Sequence, residues 1–407
     1  MPVVVVMLIF PDEWIKDIWH DNERSLVVCA FMAVFAQNTL WMVAQSLAES
    51  VRKTFFVQKL GVIISAVHLV AVIALFRAGT INLYLIFTLI FIEYIFSFYI
   101  VAKSYKFEDA SKLESSPSPT FIDYIKYCVP LAPLLIFAAV QELADRWLLQ
   151  RYGGSISQGY FAFSYQIAGM AIMFISAVIK IFWKEIAELS HDGNQTQLIK
   201  LFSKVLRVTR TTAAFFSGFI AVFAHEIILI TVGQKYQGAY LTMSILSAYV
   251  AYMAVGQIYS TLLMATGKVR VVSSMGSALS ILSALLAYIM LATELAQQAR
   301  FENAAENIAI KMLAIEFIAS IIYSMIVRRI WSINIYSSMQ FFCLVISFCI
   351  AWLSQHFVSY FIPYEYSLVI ITGGFLIYVL AFGSLAYMIP RLFGLCDGDL
   401  PSRTVRT

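Results

Sequence analysis

The sequence predicts an all-α, polytopic membrane helix bundle, and three observations lead to this fold class. Of the 407 residues, 61% are hydrophobic and only 13% are charged. The mean hydropathy is +0.80, whereas ordinary soluble domains carry about 25% charged residues. The apolar runs are long and continuous instead of alternating with a period of two, which excludes a transmembrane β-barrel.

The apolar runs predict about 11 full transmembrane helices plus an N-terminal half span. A helix needs about 20 mostly apolar residues to cross the hydrocarbon core of a bilayer. The first run, residues 1–10, is only half that length. The full spans are predicted at 25–47, 57–77, 81–102, 127–149, 158–182, 211–232, 240–265, 271–293, 308–327, 333–355 and 367–390.

Lysine and arginine are concentrated in alternate connections between these spans. The enriched set comprises 48–59, 103–126, 184–210, 267–270, 328–329 and the tail 391–407. The opposite set holds far fewer, namely Lys16, Arg24, Arg77, Arg146, Arg151, Lys235 and Arg300. Because basic connections remain in the cytoplasm, the enriched set and the C-terminus are predicted to be cytoplasmic.

Two of the cytoplasmic connections are long. Residues 103–126 contain the polar, Ser/Pro-rich stretch EDASKLESSPSPTF, which is typical of a linker between two lobes. Residues 184–210 contain a helical recurrence of apolar residues opposite a basic face, which predicts an amphipathic helix on the anionic inner leaflet. Alternatively, the basic face grips an anionic headgroup. The apolar positions are Leu198, Leu201, Phe202, Val205 and Val208.

Two stretches carry a resemblance to a known family. Residues 127–170 contain Pro130-Leu131-Ala132-Pro133, then Asp145-Arg146 at the far end of the helix, then Gly159-Tyr160 and Tyr165. Residues 226–268 contain a Gly-x-x-Tyr loop followed by a helix that ends in a Gly-Lys turn. In this order and spacing the chain resembles the Wzx-like polysaccharide flippases of the multidrug/oligosaccharidyl-lipid/polysaccharide exporter superfamily.

The resemblance implies two pseudo-symmetric lobes around a central cleft. On that pattern, 1–102 is an incomplete N-terminal lobe, 103–126 a cytoplasmic linker and 127–327 a six-helix C-terminal lobe. Two additional helices, 333–390, and a cytoplasmic tail, 391–407, follow. Roughly two and a half N-terminal spans of the family pattern are absent, which leaves open a start codon placed too late, a truncated gene or a reduced first lobe.

The resemblance also implies a function. Such a flippase translocates undecaprenyl-pyrophosphate-linked oligosaccharide repeat units across the bacterial inner membrane for O-antigen, lipopolysaccharide, capsule or exopolysaccharide biosynthesis. Its expected partners are this substrate, membrane lipids, and the polysaccharide polymerase and chain-length machinery, with no nucleic acid. No enzyme activity, cofactor or metal is expected. The alternatives are a drug or cation exporter of the same superfamily, which favours an acidic pocket, and a multispan polymerase or glycosyltransferase, which usually carries a large outer loop.

Three charges lie at the predicted outer end of span 127–149. Glu142 shares one helix face with Asp145 at i+3 and with Arg146 at i+4. One hypothesis is a structural ion pair that faces the partner lobe and closes the outer mouth of the cleft. The other is a gate that breaks and reforms during transport.

Candidate substrate-binding residues lie on span 158–182. Lys180 is about one turn from the predicted cytoplasmic end, Lys184 follows at i+4, and Gln166 and Tyr165 lie higher on the helix. An ammonium group facing the cleft suits the pyrophosphate of a lipid-linked sugar. Alternatively, the two lysines extend along their alkyl stems to the headgroups.

Two further ionisable residues lie inside the first lobe. Glu93 is in the middle of span 81–102, and His68 is on the preceding span. Such groups avoid lipid and face protein or water, so they could couple transport to protons. The alternative is a neutral hydrogen bond between helices. Glu316 on span 308–327 has the same two interpretations.

Overall fold

A computed structural model of the chain describes residues 9–11, 23–50, 54–104, 121–292, 303–333, 338–362 and 366–388. In these ranges the regular structure is entirely helical, and nine helices are long and apolar enough to cross a membrane. The all-α, multi-pass membrane class is therefore confirmed. The chain divides into two compact units, Met1–Ser118 and Pro119–Thr407, while the two-lobe arrangement around a cleft stays a prediction.

The smaller unit contains three candidate spans. The first consists of α1 (Arg24–Phe35), a π-helical segment (Ala36–Leu40) and α2 (Trp41–Ser50); α3 (Thr54–Arg77) and α4 (Leu83–Ser104) follow. Ala44 and Ala48 are fully buried against Val57 and Val101. Because alanine has a small side chain, α2, α3 and α4 can pack closely there. Most of the predicted half span, residues 1–8, lies outside the described residues.

The larger unit begins with α5 (Phe121–Cys128), a 3-10 turn (Val129–Leu131) and the 60-residue α6 (Ala132–His191). A straight helix of that length would measure about 90 Å, three times the thickness of the hydrocarbon core. Gly154 interrupts it with φ 73° and ψ −179°, a conformation available essentially only to glycine. The helix is therefore two helices that meet where the sequence predicts the connection between spans 127–149 and 158–182.

Next come α7 (Gln195–Val222), α8 (Ala224–Thr231) and a 3-10 segment (Gln234–Ala239). The prediction that the apolar face of this helix lies on the leaflet surface is wrong, because Leu198, Phe202 and Leu206 are buried inside the protein. The same helix, α7, continues into the predicted span 211–232. It ends at Val222, before the predicted end of that span, and the short α8 follows. Arg210, assigned to a connection, is only 5% exposed.

The helix α9 (Tyr240–Ala265) lies at the centre of the larger unit. It packs against α6, α7 and α11 (Ala304–Trp331), and α10 (Val269–Ala292) packs against α6 and α11. Of the nine candidate spans in the described residues, the one containing α9 has the largest buried share, 61%. Most of its side chains are therefore in contact with protein.

The last two helices are α12 (Ser338–Phe361) and α13 (Ser367–Met388). The helix α11 continues to Trp331, beyond the predicted end of span 308–327, and ends on Ser332 with φ 54°, a left-handed conformation that stops a helix. Residues 334–337, in the predicted span 333–355, lie outside the described residues. The Ser347 hydroxyl donates to the carbonyl of Ala214 at 2.6 Å and is 2.6 Å from the Tyr378 hydroxyl. One serine thus connects α7, α12 and α13.

Candidate functional site

A close helix contact brings two charged residues of the larger unit together. A Cβ atom on Gly153 of α6 would lie 2.6 Å from the Cβ of Ala304 on α11, so only glycine permits this approach. Asp145 lies about two turns before Gly153, and Lys311 lies about two turns after Ala304. Because the two helices run antiparallel there, the aspartate and the lysine meet at the same level.

The Lys311 ammonium forms a buried ion pair with Oδ2 of Asp145. The Lys311 side chain is 0% exposed and that of Asp145 is 7% exposed. Nε2 of Gln141 donates a second hydrogen bond to the same oxygen at 2.9 Å. Charges in a low-dielectric interior are tolerated when they are paired and hydrogen-bonded. This pair therefore links α6 to α11 inside the unit.

This arrangement corrects the predicted grouping of three charges. Arg146 pairs with Glu142 at 3.8 Å on an exposed surface, and its guanidinium lies 5.7 Å from the ring centroid of Phe161. Asp145 is instead buried and pairs with Lys311 inside its own unit. The role of the Glu142–Arg146 pair as an outer gate stays a prediction, but Asp145 is not part of the pair.

The two segments that carry the family resemblance pack against each other. The rings of Tyr160 and Tyr236 meet edge to face with centroids 5.6 Å apart, and the Tyr160 hydroxyl donates to the carbonyl of Lys235 at 3.3 Å. A Cβ on Gly238 would lie 2.9 Å from the Tyr160 ring, and one on Gly159 would lie 3.3 Å from the Tyr236 hydroxyl. The Gly159-Tyr160 pair thus packs against the tyrosine of the Gly-x-x-Tyr pattern and against Gly238, two residues after it.

The predicted substrate-binding residues separate into different environments. The ring of Tyr165 stacks on that of Phe161 with centroids 5.9 Å apart, and its centroid lies 6.4 Å from that of Tyr249. Tyr165 therefore packs against the buried apolar core of the larger unit. Gln166, one residue on, is exposed.

Both lysines are on α6. Lys184 is exposed and pairs with Glu188 at 3.7 Å, one turn further on. The backbone of Lys180 is helical, but its side chain lies outside the described residues. The contact with Glu188 favours a surface role for Lys184, and anion binding by Lys180 stays a prediction.

A cleft of roughly 300 Å³ lies between α6, α9, α10 and α11, and its lining is mainly apolar. Its polar lining includes Gln141, Gln257, Ser260, Ser280 and Glu316. Because Gln141 also bonds to Asp145, this amide connects the cleft wall to the buried ion pair.

Glu316 is the acidic residue of this cleft. Within the described part of the chain, its carboxylate makes no ion pair and no hydrogen bond. Its Oε1 lies 2.7 Å from the position that a Cβ would take on Gly256 of α9. The glycine thus lets the carboxylate approach the backbone of the central helix.

The smaller unit brings His68 and Glu93 together. Nδ1 of His68 is 2.9 Å from Oε2 of Glu93, and Ser97 donates to the Glu93 carbonyl at 2.6 Å. The other carboxylate oxygen of Glu93 is buried without a partner in the described residues. The contact is compatible with both interpretations made from the sequence, proton coupling and an interhelical hydrogen bond, so the proton-coupling role stays a prediction.

Lys311 is the functional candidate that the sequence reasoning passed over. A lysine inside an apolar helix is costly unless it is paired, so its position demanded an acidic partner, and Asp145 was available on another helix. In the described residues, no three histidine, cysteine or acidic side chains converge as metal ligands would.

No protein-family model, curated protein or solved structure matches this chain. Its function is therefore inferred from its own residues and from the resemblance already stated.

Proposed function

We propose that the chain is a flippase of the bacterial inner membrane that moves undecaprenyl-pyrophosphate-linked oligosaccharides to the outer leaflet for surface polysaccharide biosynthesis. The observation that carries the proposal is the charged and polar interior of the larger unit, with its Asp145–Lys311 pair and Glu316 cleft. Ionisable groups inside membrane helices commonly mark substrate or ion pathways. Transport of this kind changes no covalent bond, so the chain is not an enzyme.

The substrate class is supported by the resemblance and by one lysine. The two resembling segments contact each other through Tyr160 and Tyr236, so the residues that carry the resemblance lie together in the larger unit. The diphosphate of a lipid-linked sugar enters from the cytoplasmic leaflet, where the basic connections place the end of α6 that carries Lys180. The polysaccharide polymerase and chain-length machinery are the proposed partners.

The test is complementation of a strain that lacks its own flippase. We expect Lys180→Gln to lose surface polysaccharide and Lys180→Arg to retain part of it, because a positive charge at that position attracts the diphosphate. Lys184→Gln is the matched control, since Lys184 is exposed and already paired with Glu188. Membrane abundance is measured for every variant. Full complementation by Lys180→Gln at wild-type abundance would show that the lysine only reaches the headgroups.

A second candidate function is export of organic cations, which the Glu316 cleft favours. Its carboxylate has no cationic partner in the described residues, so an incoming cation could neutralise it. Cells expressing the chain would then accumulate less of a fluorescent organic cation, and Glu316→Gln would abolish this difference. Glu142→Gln, at an exposed acid, is the control. Equal accumulation with and without the wild-type chain would reject this function.

A further inference from the structure

A second pocket of the larger unit is formed by two similar turns. It has a volume of about 280 Å³ and lies between the α6–α7 turn, the α9–α10 turn and the end of α11. At the first turn, the N–H of Asn194 bonds to the carbonyl of Leu189 and that of Gly193 to Ser190. At the second, the N–H of Lys268 bonds to Leu263 and that of Gly267 to Met264. Both are the paired 6→1 and 5→2 bonds that end a helix on a left-handed glycine.

The glycines shape this turn pocket. Gly193 has φ 69° and Gly267 has φ 75°, and a Cβ on either would meet no heavy atom within 4 Å. Each turn therefore reverses the chain within a few residues and leaves open space beside it. Because α7 begins at Gln195 and α10 at Val269, both helices direct their positive N-terminal ends toward this part of the molecule.

Lys268 supplies the positive charge of the pocket. Its ammonium lies 5.8 Å from the ring centroid of Trp331, which lines the opposite wall. Among the described residues no carboxylate pairs with Lys268. The nearest acid along the first turn, Asp192, is exposed and contacts His191 at 3.6 Å. The lysine is thus half-buried and oriented by an aromatic ring, with its charge uncompensated.

The surroundings of the pocket are those of a membrane interface. Arg328 and Arg329 occupy the last turn of α11, and Arg270 follows Lys268; all three are exposed. Tryptophan at a helix end is typical of the headgroup level. The pocket belongs to the basic side of the chain, which the positive-inside rule places in the cytoplasm, where anionic phospholipids attract basic groups.

We propose that this turn pocket binds the phosphate of an anionic phospholipid headgroup from the cytoplasmic leaflet. Lys268 pairs with the phosphate, Ser190 and Thr266 line the same pocket, and Trp331 packs beside the glycerol region. The headgroup would hold the α6–α7 and α9–α10 turns together. A phospholipid is favoured over the transported lipid because the pocket lies wholly among helix ends of one unit. The proposal needs only the predicted orientation and not the flippase activity.

The test measures lipid-dependent thermal stability of the full purified chain in detergent micelles. Phosphatidylglycerol should raise the melting temperature more than phosphatidylcholine does. Lys268→Gln should weaken the apparent affinity for phosphatidylglycerol about fivefold, the change expected for one lysine at an anionic surface, and Lys268→Arg should retain most of it. Lys235→Gln, an exposed lysine on another turn of the same unit, should behave as wild type.

Four results would overturn the proposal. The first is a phosphatidylglycerol response of Lys268→Gln equal to that of wild type, with the same melting temperature in phosphatidylcholine. The second is an equal loss in Lys235→Gln, which would indicate general surface charge. The third is a full response to inorganic phosphate alone, which would assign the pocket to a free anion. The fourth is tighter binding of geranylgeranyl diphosphate, which would assign it to a prenyl-diphosphate substrate. Transport is not measured, so failure here leaves the proposed function standing.

Discussion

At the scale of single residues, the buried Asp145–Lys311 pair has the largest expected energetic effect. The two residues are 166 positions apart in the sequence, yet their side chains meet out of contact with solvent or lipid. Replacing both partners of a buried pair with apolar groups is often neutral, whereas removing one partner leaves an uncompensated charge. The pair therefore determines how α6 packs on α11 more than it adds net stability.

We predict that Lys311→Met lowers the free energy of unfolding by about 3–5 kcal/mol, because it leaves the Asp145 carboxylate buried and unpaired. The double variant Asp145→Leu/Lys311→Met should recover most of that loss. The measurement is reversible unfolding in mixed micelles. As a control, Arg146→Gln removes the exposed pair with Glu142 and the contact with the Phe161 ring, each worth about 1 kcal/mol or less. A loss for Lys311→Met no larger than for Arg146→Gln would contradict the buried pair.

At the scale of helices, glycines determine where α6 breaks and how closely it approaches α11. Gly153 permits the contact with Ala304, and Gly154, with φ 73°, separates the two halves of the helix. A Cβ on Gly154 would meet no heavy atom within 4 Å. Any cost of substitution there is therefore a backbone cost and not a steric collision.

We predict that Gly154→Ala destabilises the chain by about 1–3 kcal/mol, the cost of holding a non-glycine residue in this backbone region. Gly169→Ala is the matched control. A Cβ there would also meet no heavy atom, but the residue lies within the helix, where alanine is favoured over glycine by about 1 kcal/mol. The measurement is the melting temperature of both variants in detergent. Similar melting temperatures for the two variants would mean that Gly154 is not a required break.

The helices could be predicted from the sequence because hydropathy and length suffice for that purpose. The surfaces against which each helix packs could not be predicted in this way. An apolar face at helical spacing looks the same whether it lies on lipid or on protein, so Leu198 and Phe202 were assigned to the leaflet although they are buried inside the unit. Likewise, the i and i+4 rule finds the Glu142–Arg146 pair on one helix but carries no information about the pairing of Asp145 with Lys311 on another.

At the scale of the whole molecule, the exposed surface is strongly apolar. In the candidate span Phe55–Arg77 only 6% of the most apolar window is buried, and in Leu83–Ser104 only 11%. Side chains such as Phe55 and Val62 are 82% and 71% exposed. Soluble monomers rarely expose apolar patches larger than a few hundred Å², so these helices require a bilayer. The nine candidate spans of the described residues do not include α6. The predicted total of 11 therefore requires that both halves of α6 also cross the bilayer.

A matched pair of cysteine variants on α6 tests this count and the orientation together. In a cysteine-free background, Ser155→Cys should react with a membrane-impermeant maleimide on intact cells, because the basic connections place residue 155 outside. His191→Cys, at the other end of the second half, should react only after permeabilisation. Labelling of both positions on intact cells would show that the second half of α6 does not cross the membrane. Reversed accessibility would invert the topology.

Lipid translocation by this chain can be measured directly with the purified protein in vesicles. A fluorescent undecaprenyl-pyrophosphate-linked oligosaccharide is placed in the inner leaflet, and its arrival outside is followed with a membrane-impermeant quencher. We predict faster translocation than in protein-free vesicles, and a reduced rate for Lys180→Gln at equal incorporation and equal melting temperature. A rate no higher than that of protein-free vesicles, from a chain that is folded and inserted, would contradict the proposal that this protein is a flippase.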